Sequence, residues 1–453
     1  MGFGLWALSC GLWALGFELA DAARFITPGL PSPGVSLWGW DIPGTAAENV
    51  LDFEEALALL SEHAAKLSPP DQPKSVPLLE ARGRVLAAVV SADRDQPPFD
   101  RSARDGFAVR AAGFRAGMPL TVAGEVRAGE AWRGPALAAG QAIQIMTGAP
   151  VPAGADAVAM VEHVERGGGT ITAAPGRSVG SGENIVPRGS EARAGEIVLQ
   201  AGSRVTAAEI ALAAACGHAR LDVFRRRRVA ILATGDELVE LDVVPDPQQI
   251  RNSNSYSLAA MVEAAGGEPL RLPIARDNRD DLHAALQAAC KADLILFSGG
   301  VSMGEYDLVE EILLDAEAEF YFTGVRLQPG KPAVFGSLPD VGGQGRKYFF
   351  GLPGNPISTQ VTFHCFVEPF LRAMGGEALV EPRWVLAELA EDAEAKPGLT
   401  RLPPAELRGA KVRVIRTQGS GDLAANARAN CHAELPPGKE PVRAGTIVRV
   451  LLR

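Results

Sequence analysis

The residues best suited to chemistry fall in three short loops. They are Thr234-Gly235-Asp236-Glu237, Ser298-Gly299-Gly300-Val301-Ser302-Met303-Gly304-Glu305-Tyr306-Asp307 and Gly351-Leu352-Pro353-Gly354-Asn355-Pro356. In the second loop, Gly299 and Gly300 permit positive φ and leave backbone N–H groups open. A helix expected near Leu308 turns its positive end toward the same place, which suits a phosphate. The spacing matches neither of the two common glycine-rich nucleotide fingerprints. Tight strand-to-helix turns also use glycine for structure alone, so the loop by itself favours neither reading. The carboxylates shift the balance. Asp236, Glu237, Glu305 and Asp307 occupy two of the loops, and Asp277 follows a further apparent strand at residues 271–274. Carboxylates repel a phosphate unless a cation lies between them, and Mg²⁺ takes one or two carboxylates together with phosphate oxygens and water. Taken singly, Asp236 or Asp307 reads equally well as a helix N-cap.

The third loop suits a small oxyanion. Pro353 and Pro356 fix φ, and Asn355 tolerates the left-handed region. Ser358 then opens a helix, and Gln328-Pro329-Gly330-Lys331-Pro332 adds one lysine nearby. A stiff connection with a surface lysine is the plainer alternative. In the first half, Phe99-Asp100-Arg101-Ser102-Ala103-Arg104-Asp105-Gly106-Phe107 contains a turn at Asp105-Gly106, where an aspartate is usually structural.

These loops need elements to hold them. Each follows an apolar run that reads as a buried strand: residues 229–233, 294–297 and 348–350. Between residues 229 and 374, strand and helix alternate, which implies right-handed crossovers and a mostly parallel sheet. Loops at the carboxyl ends of such strands share one edge, where ligands bind. Upstream, a helix is expected from Asp52, with Asp52 as N-cap and Glu55 three residues on; Ser68-Pro69-Pro70 ends it. Residues 78–90 read as a second helix and 257–265 as another. From 107 to 200, short strands alternate with Gly and Pro turns, as in a small β-rich domain. Short β runs return after Arg383. The expected organisation is an extension at 1–50, a linking domain at 51–91 and 193–224, a small β-rich domain at 92–192, an α/β domain at 225–376 and a C-terminal β domain at 381–453.

The balance of 44 Lys and Arg against 54 Asp and Glu gives a net charge of −10. That argues against a general nucleic-acid or anionic-membrane binder. The one basic run, Arg225-Arg226-Arg227-Arg228, reads as a solvated strand start. Five scattered cysteines give neither a CxxC pair nor a disulfide framework, and a reducing cytoplasm fits. His364 beside Cys365 reads as core packing. The apolar residues 1–17 are short for a transmembrane helix, lack the basic flank of a secretory signal and lack the polar face of an interfacial helix. An unstructured extension or a start codon placed too far upstream explains them best.

Together these motifs resemble the MoeA family of molybdopterin molybdenumtransferases, which includes the catalytic E domain of gephyrin. The resemblance rests on Phe99–Arg110, on Ile145-Met146-Thr147-Gly148-Ala149-Pro150-Val151-Pro152, on Pro329-Gly330-Lys331-Pro332 and on the three loops, all in family order. It covers the chain from about Leu51 onward. It implies an elongated homodimer and a reaction on adenylylated molybdopterin and molybdate. The phosphoanhydride is hydrolysed with Mg²⁺ assisting, AMP leaves, and molybdenum stays on the dithiolene. Carried over by position, Glu237 and Asp307 hold Mg²⁺. Thr234, Gly235, Asp236, Ser298, Gly299, Gly300, Val301, Ser302, Pro353 and Pro356 line the nucleotide and pterin site. Lys331, Pro332, Ser358, Arg401 and Ser420 form the molybdate pocket. Asp105, with Thr147 close by, reaches in from the partner subunit, and Glu191 and Asp277 are further functional carboxylates. Molybdopterin adenylyltransferase and apo-molybdoenzymes are the implied protein partners, with no nucleic acid and no membrane.

Two positions depart from the pattern. Glu191 stands where the family usually has an aspartate, and Gln328 replaces a common lysine. Two other functions compete: a molybdopterin adenylyltransferase, which lacks the long N-terminal half and the Asp105 motif, and a scaffold with a degenerate site, against which Glu237, Asp307, Lys331 and Asp105 speak.

Overall fold

The computed structural model describes residues 49–300, 308–339, 345–378 and 380–453. The expectations for residues 1–48 and for Val301, Ser302 and Asp307 lie outside the described residues.

Helix α1 (Phe53–Ala65) begins as the sequence suggests. Asp52 and Glu55 form a reciprocal capping box, which satisfies two of the open N–H groups of the first turn. The second expected helix is a correction. Residues 78–81 make one 3₁₀ turn. Gly83 then takes φ 75, and Val85 and Leu86 form bridges to Arg204 and Val223. The left-handed glycine ends the turn, and the apolar residues after it pair as strand.

The β-rich region forms a six-stranded sheet from β1 (Gly106–Val109), β2 (Leu120–Val126), β3 (Gln141–Ile145), β4 (Ala157–Met160), β5 (Val164–Gly167) and β6 (Thr170–Ala173), in the order β4-β1-β3-β2-β6-β5. Phe107, Phe114, Leu120 and Ile171 fill one of its faces. The chain then returns through α2 (Ala207–Ala215), capped by Thr206 and Glu209.

The α/β part contains β7 (Arg228–Ala233), α3 (Ser253–Ala264), β8 (Glu268–Arg271), α4 (Arg279–Ala289), β9 (Leu294–Ser298), α5 (Leu308–Asp315), β10 (Glu319–Phe322), β11 (Val334–Leu338), β12 (Lys347–Leu352), α6 (Pro356–Thr362) and α7 (Glu368–Met374). The sheet order is β8-β7-β9-β12-β11-β10. The first four strands are mutually parallel, and β11 and β10 add an antiparallel edge. Both faces are covered. Leu294 and Leu296 of β9 pack with α1, α3 and the α6–α7 region, while Ile295 and Phe297 pack with α4 and α5. This two-sided burial is why β9 reads as an unbroken apolar run. Between α6 and α7 lies a π-type turn, Phe363–Val367, all of it buried. His364 is buried there and meets Glu368 at 2.8 Å, so its role is structural, as expected.

The C-terminal part is a closed barrel of β13 (Trp384–Leu389), β14 (Pro404–Arg408), β15 (Lys411–Val414), β16 (Cys431–Ala433) and β17 (Ile447–Leu452), in the order β13-β15-β14-β16-β17. A short helix, α8 (Leu423–Arg428), precedes β16. Closure leaves the barrel no free edge. It joins the α/β part at a seam where Leu327-Gln328 pair with Thr400-Arg401 and the Ile357 N–H donates to the Ser420 carbonyl at 3.0 Å.

Candidate active site

Parallel pairing of β7, β9 and β12 brings their carboxyl ends side by side. Ala233 lies opposite Ser298, and Ser298 opposite Leu352. The loops after them therefore touch. The Gly299 N–H donates to the Leu352 carbonyl at 3.2 Å. Gly299 and Gly300 take φ 86 and 64. A Cβ on Gly300 would lie 2.4 Å from Thr234 Oγ1 and 2.9 Å from Val309 Cγ2, so only glycine lets the second loop lie on the first. The third loop is stiffened from inside: Thr359 Oγ1 donates to the carbonyls of Pro353 (2.6 Å) and Asn355 (3.0 Å).

These loops wall a cleft of about 630 Å³, within the usual range for a small-molecule site. It is lined by Thr234, Gly235, Glu237, Asp277, Ser298, Gly299, Gly300, Pro332, Pro353, Gly354, Asn355 and Pro356, and by Gly421 from across the seam. Glu237 is exposed to the cleft, and its carboxylate folds over Gly235, 2.4 Å from where a Cβ would stand. Thr234 is 2% exposed, and its hydroxyl has no partner among the described residues.

The sequence reading missed a fourth wall. Arg251, Asn252, Ser253 and Asn254 also line the cleft. Arg251 ends a short strand paired with Val239, Asn252 is the N-cap of α3, and Ser253 and Asn254 open the helix, which starts a turn earlier than expected. Asn252 caps it by accepting from the Ser255 N–H at 3.2 Å, and Asn254 Nδ2 donates to the Gly354 carbonyl at 2.7 Å. The signal was present in Asn252-Ser253-Asn254-Ser255, a run of capping residues after a proline-containing connection. A helix start aimed into a cleft favours negative charge there.

Not every expected residue lines this cleft. Asp236 turns outward, and its carboxylate lies 3.9 Å from Arg276. Ser358 is buried within α6, with its carbonyl accepting from Thr362 Oγ1. Lys331 is exposed beside Pro332. Arg401 is the register partner of Gln328, and its guanidinium engages Glu394. Ser420 is adjacent to the cleft residue Gly421. Lys331 and Ser358 are the chain neighbours of Pro332 and Ile357, while Arg401 and Ser420 take part in the seam through their backbone contacts. Gln328 Oε1 is buried there without a partner among the described residues.

Asp105, Thr147 and Glu191 lie in the β-rich region and do not line the cleft. Asp105 Oδ1 accepts from the Thr147 N–H (2.6 Å) and Oγ1 (2.8 Å). The backbone bond first, and then the hydroxyl bond, hold the carboxyl below its ordinary pKa. The pair thus presents a fixed, ionised and exposed carboxylate. Glu191 forms an exposed ion pair with Arg101 at 2.7 Å.

Three family models match the chain. The MoeA N-terminal region (domains I and II) matches residues 51–217, a probable molybdopterin-binding domain matches 230–373, and the MoeA C-terminal region (domain IV) matches 387–452. A molybdopterin molybdenumtransferase of Staphylococcus aureus is 33% identical over 391 residues, 83% of this chain and 90% of that protein. A protein of the same name from Nostoc is 36% identical over 330 residues, 69% of this chain and 72% of that protein. The crystal structure of the molybdopterin biosynthesis MoeA protein of Pyrococcus horikoshii OT3 superposes with a TM-score of 0.70 at 30% identity, covering 89% of this chain and 100% of that one. No helix among the described residues is long and apolar enough to cross a membrane. Over residues 51–452, in domain order and in fold, the chain belongs to the MoeA family of molybdopterin molybdenumtransferases.

Proposed function

We propose that the protein is a molybdopterin molybdenumtransferase that takes adenylylated molybdopterin and molybdate, cleaves the phosphoanhydride, releases AMP and leaves molybdenum on the dithiolene. The observation that carries this reading is the continuity of the cleft. It is lined by a glycine pair, the cap of α3 and the carboxylates of Glu237 and Asp277, and also by Pro332 and by Gly421 from across the seam. The first set of groups suits a phosphate, and the seam beside the second suits a small oxyanion.

In this reading the first turn of α3 and the Gly299–Gly300 backbone orient the phosphates. The open hydroxyl of Thr234 donates to a phosphate or pterin oxygen. Glu237 and Asp277 set the charge around the scissile bond. The turn of Pro353 to Pro356 keeps the pterin from shifting, because two prolines and the Thr359 bonds leave it one conformation. Lys331, Arg401, Ser358 and Ser420 hold molybdate. The donor set fits Mg²⁺: one or two carboxylates suffice when phosphate oxygens and water complete the shell, and Glu237, with Asp307, would hold it. Bound there, the ion would neutralise the phosphate charge and so ease departure of AMP. Asp105, held ionised by Thr147, completes the site from the partner subunit of a homodimer.

The test is reconstitution of an apo-molybdoenzyme by the purified protein supplied with adenylylated molybdopterin, molybdate and Mg²⁺. Active enzyme is expected with the native chain, and on the order of 100-fold less with Glu237→Gln, the scale of losing one aimed electrostatic contact. Equal reconstitution by the two proteins removes Glu237 from the mechanism; none by either removes the proposed function.

A further inference from the structure

The basic run at residues 225–228 is not the solvated strand start that its sequence suggests. Arg225 grips Asp293 through two bonds of 2.8 and 2.7 Å. Arg227 donates to the carbonyls of Met374 (2.7 Å) and Ser68 (3.1 Å). Both are partly buried. They belong to a groove between the N-terminal segment and the α/β sheet, which shares no lining residue with the cleft.

Six arginines line this groove: Arg84, Arg204, Arg225, Arg226, Arg227 and Arg372. Two carboxylates answer them. Asp293 takes Arg225 and lies 3.6 Å from Arg227. Glu377 takes Arg372 at 2.7 Å and Arg204 at 3.3 Å. Among the described residues, no carboxylate pairs with Arg84 or Arg226. Arg84 donates only to the Phe224 carbonyl, at 2.7 Å, and burial followed by the like charge of Arg226 lowers its pKa. The Arg226 guanidinium has no hydrogen bond or ion pair among the described residues. Arg84 and Arg226 line the same groove, and the open donors of Arg226 can take an anion there. Guanidinium forks match a tetrahedral oxyanion in geometry as well as charge. The enclosed space is about 20 Å³, so the anion must sit in the mouth of the groove with part of its surface in water.

We propose that this groove binds a tetrahedral oxyanion between Arg84 and Arg226, pinning the N-terminal segment to the α/β sheet. The anion comes either as free inorganic phosphate or sulfate, or as the phosphate of a small phosphomonoester. Because Arg226 makes no bond of its own, removing its charge leaves the fold intact and isolates the anion's contribution.

The melting temperature of the full chain should be followed against inorganic phosphate, sulfate and glycerol phosphate, with chloride at matched ionic strength as the reference. The native protein should show a saturable rise in Tm. Arg226→Gln should weaken the apparent phosphate affinity at least tenfold, and Arg226→Lys, which keeps the charge but loses the fork, should fall between. Arg413→Gln, an exposed arginine of the barrel paired with Glu391 and outside both the cleft and the groove, should keep the full response. Tighter binding of glycerol phosphate than of inorganic phosphate, lost in Arg226→Gln, identifies the phosphomonoester as the source; equal or weaker binding identifies the free ion. An unchanged response in Arg226→Gln, or a response lost in Arg413→Gln, overturns the proposal.

Discussion

Gly300 shows how closely the residues of the cleft are fitted. A methyl group there would meet Thr234 Oγ1 and Val309 Cγ2 within 3 Å, on a backbone at φ 64. Gly300→Ala should cost about 1–3 kcal/mol of stability and move the second loop off the first. Urea unfolding with parallel kinetics should show KM for the adenylylated substrate rising with that loss; an unchanged KM would mean that the loops need not touch. Asp105 makes the residue-scale case for electrostatics. Its native pKa lies below the ordinary value of about 3.9 because Thr147 donates twice to the charged form. The stabilisation from this pair is present above the ordinary pKa and is lost as pH falls through the lowered one. Thr147→Val should raise the Asp105 pKa toward 3.9, followed by NMR of the side-chain carboxyl. A pKa that stays put would show that the hydroxyl contributes nothing beyond the backbone N–H.

At the scale of elements, α3 is a structural wall and a charged one at once. Asn252→Ala removes the cap that accepts the Ser255 N–H. It should cost about 1 kcal/mol and weaken binding of the phosphate end of the substrate, measured as KM against kcat. β12 carries the core beneath the cleft. Phe350 stacks on Phe335 at 4.8 Å and meets Phe370 at 5.6 Å. Phe350→Ala should cost about 3–5 kcal/mol, read from the denaturation midpoint. How much of this was legible depended on what fixes each element. β7, β9 and β12 are buried on both faces, so their apolar runs announced them. α1 was announced by its capping box. α3 was read a turn late because Leu258 and Val262, its buried apolar residues, start after the polar first turn that faces the cleft. Residues 78–90 read as helix because propensity carries no record of the partners Arg204 and Val223, more than 100 positions away. The arginine groove was illegible for the same reason: Asp293, which answers Arg225 and Arg227 of the basic run, is distant in sequence.

For the whole molecule, one cleft gathers residues from the strand-end loops, from α3 and, across the seam, from the C-terminal barrel. Asp105, Thr147 and Glu191 stand outside it in this chain. A homodimer that shares its sites would bring Asp105 to the cleft of its partner, and mixing distinguishes this from a site complete in one chain. Asp105→Asn and Glu237→Gln proteins, each inactive alone, should recover activity when their subunits exchange. Recovery should approach roughly a quarter of native activity, since random exchange in a two-fold dimer gives half mixed dimers with one intact site each. No recovery would place both residues in the same chain's site.

The proposed reaction couples loss of AMP to uptake of molybdenum in one cleft. AMP release should therefore be measured during single turnover of adenylylated molybdopterin, with molybdate varied and Mg²⁺ present, against molybdenum retained on the pterin. Molybdate-dependent AMP release is expected, matched one for one by molybdenum on the dithiolene. AMP release that ignores molybdate, or molybdenum uptake without AMP, would contradict it.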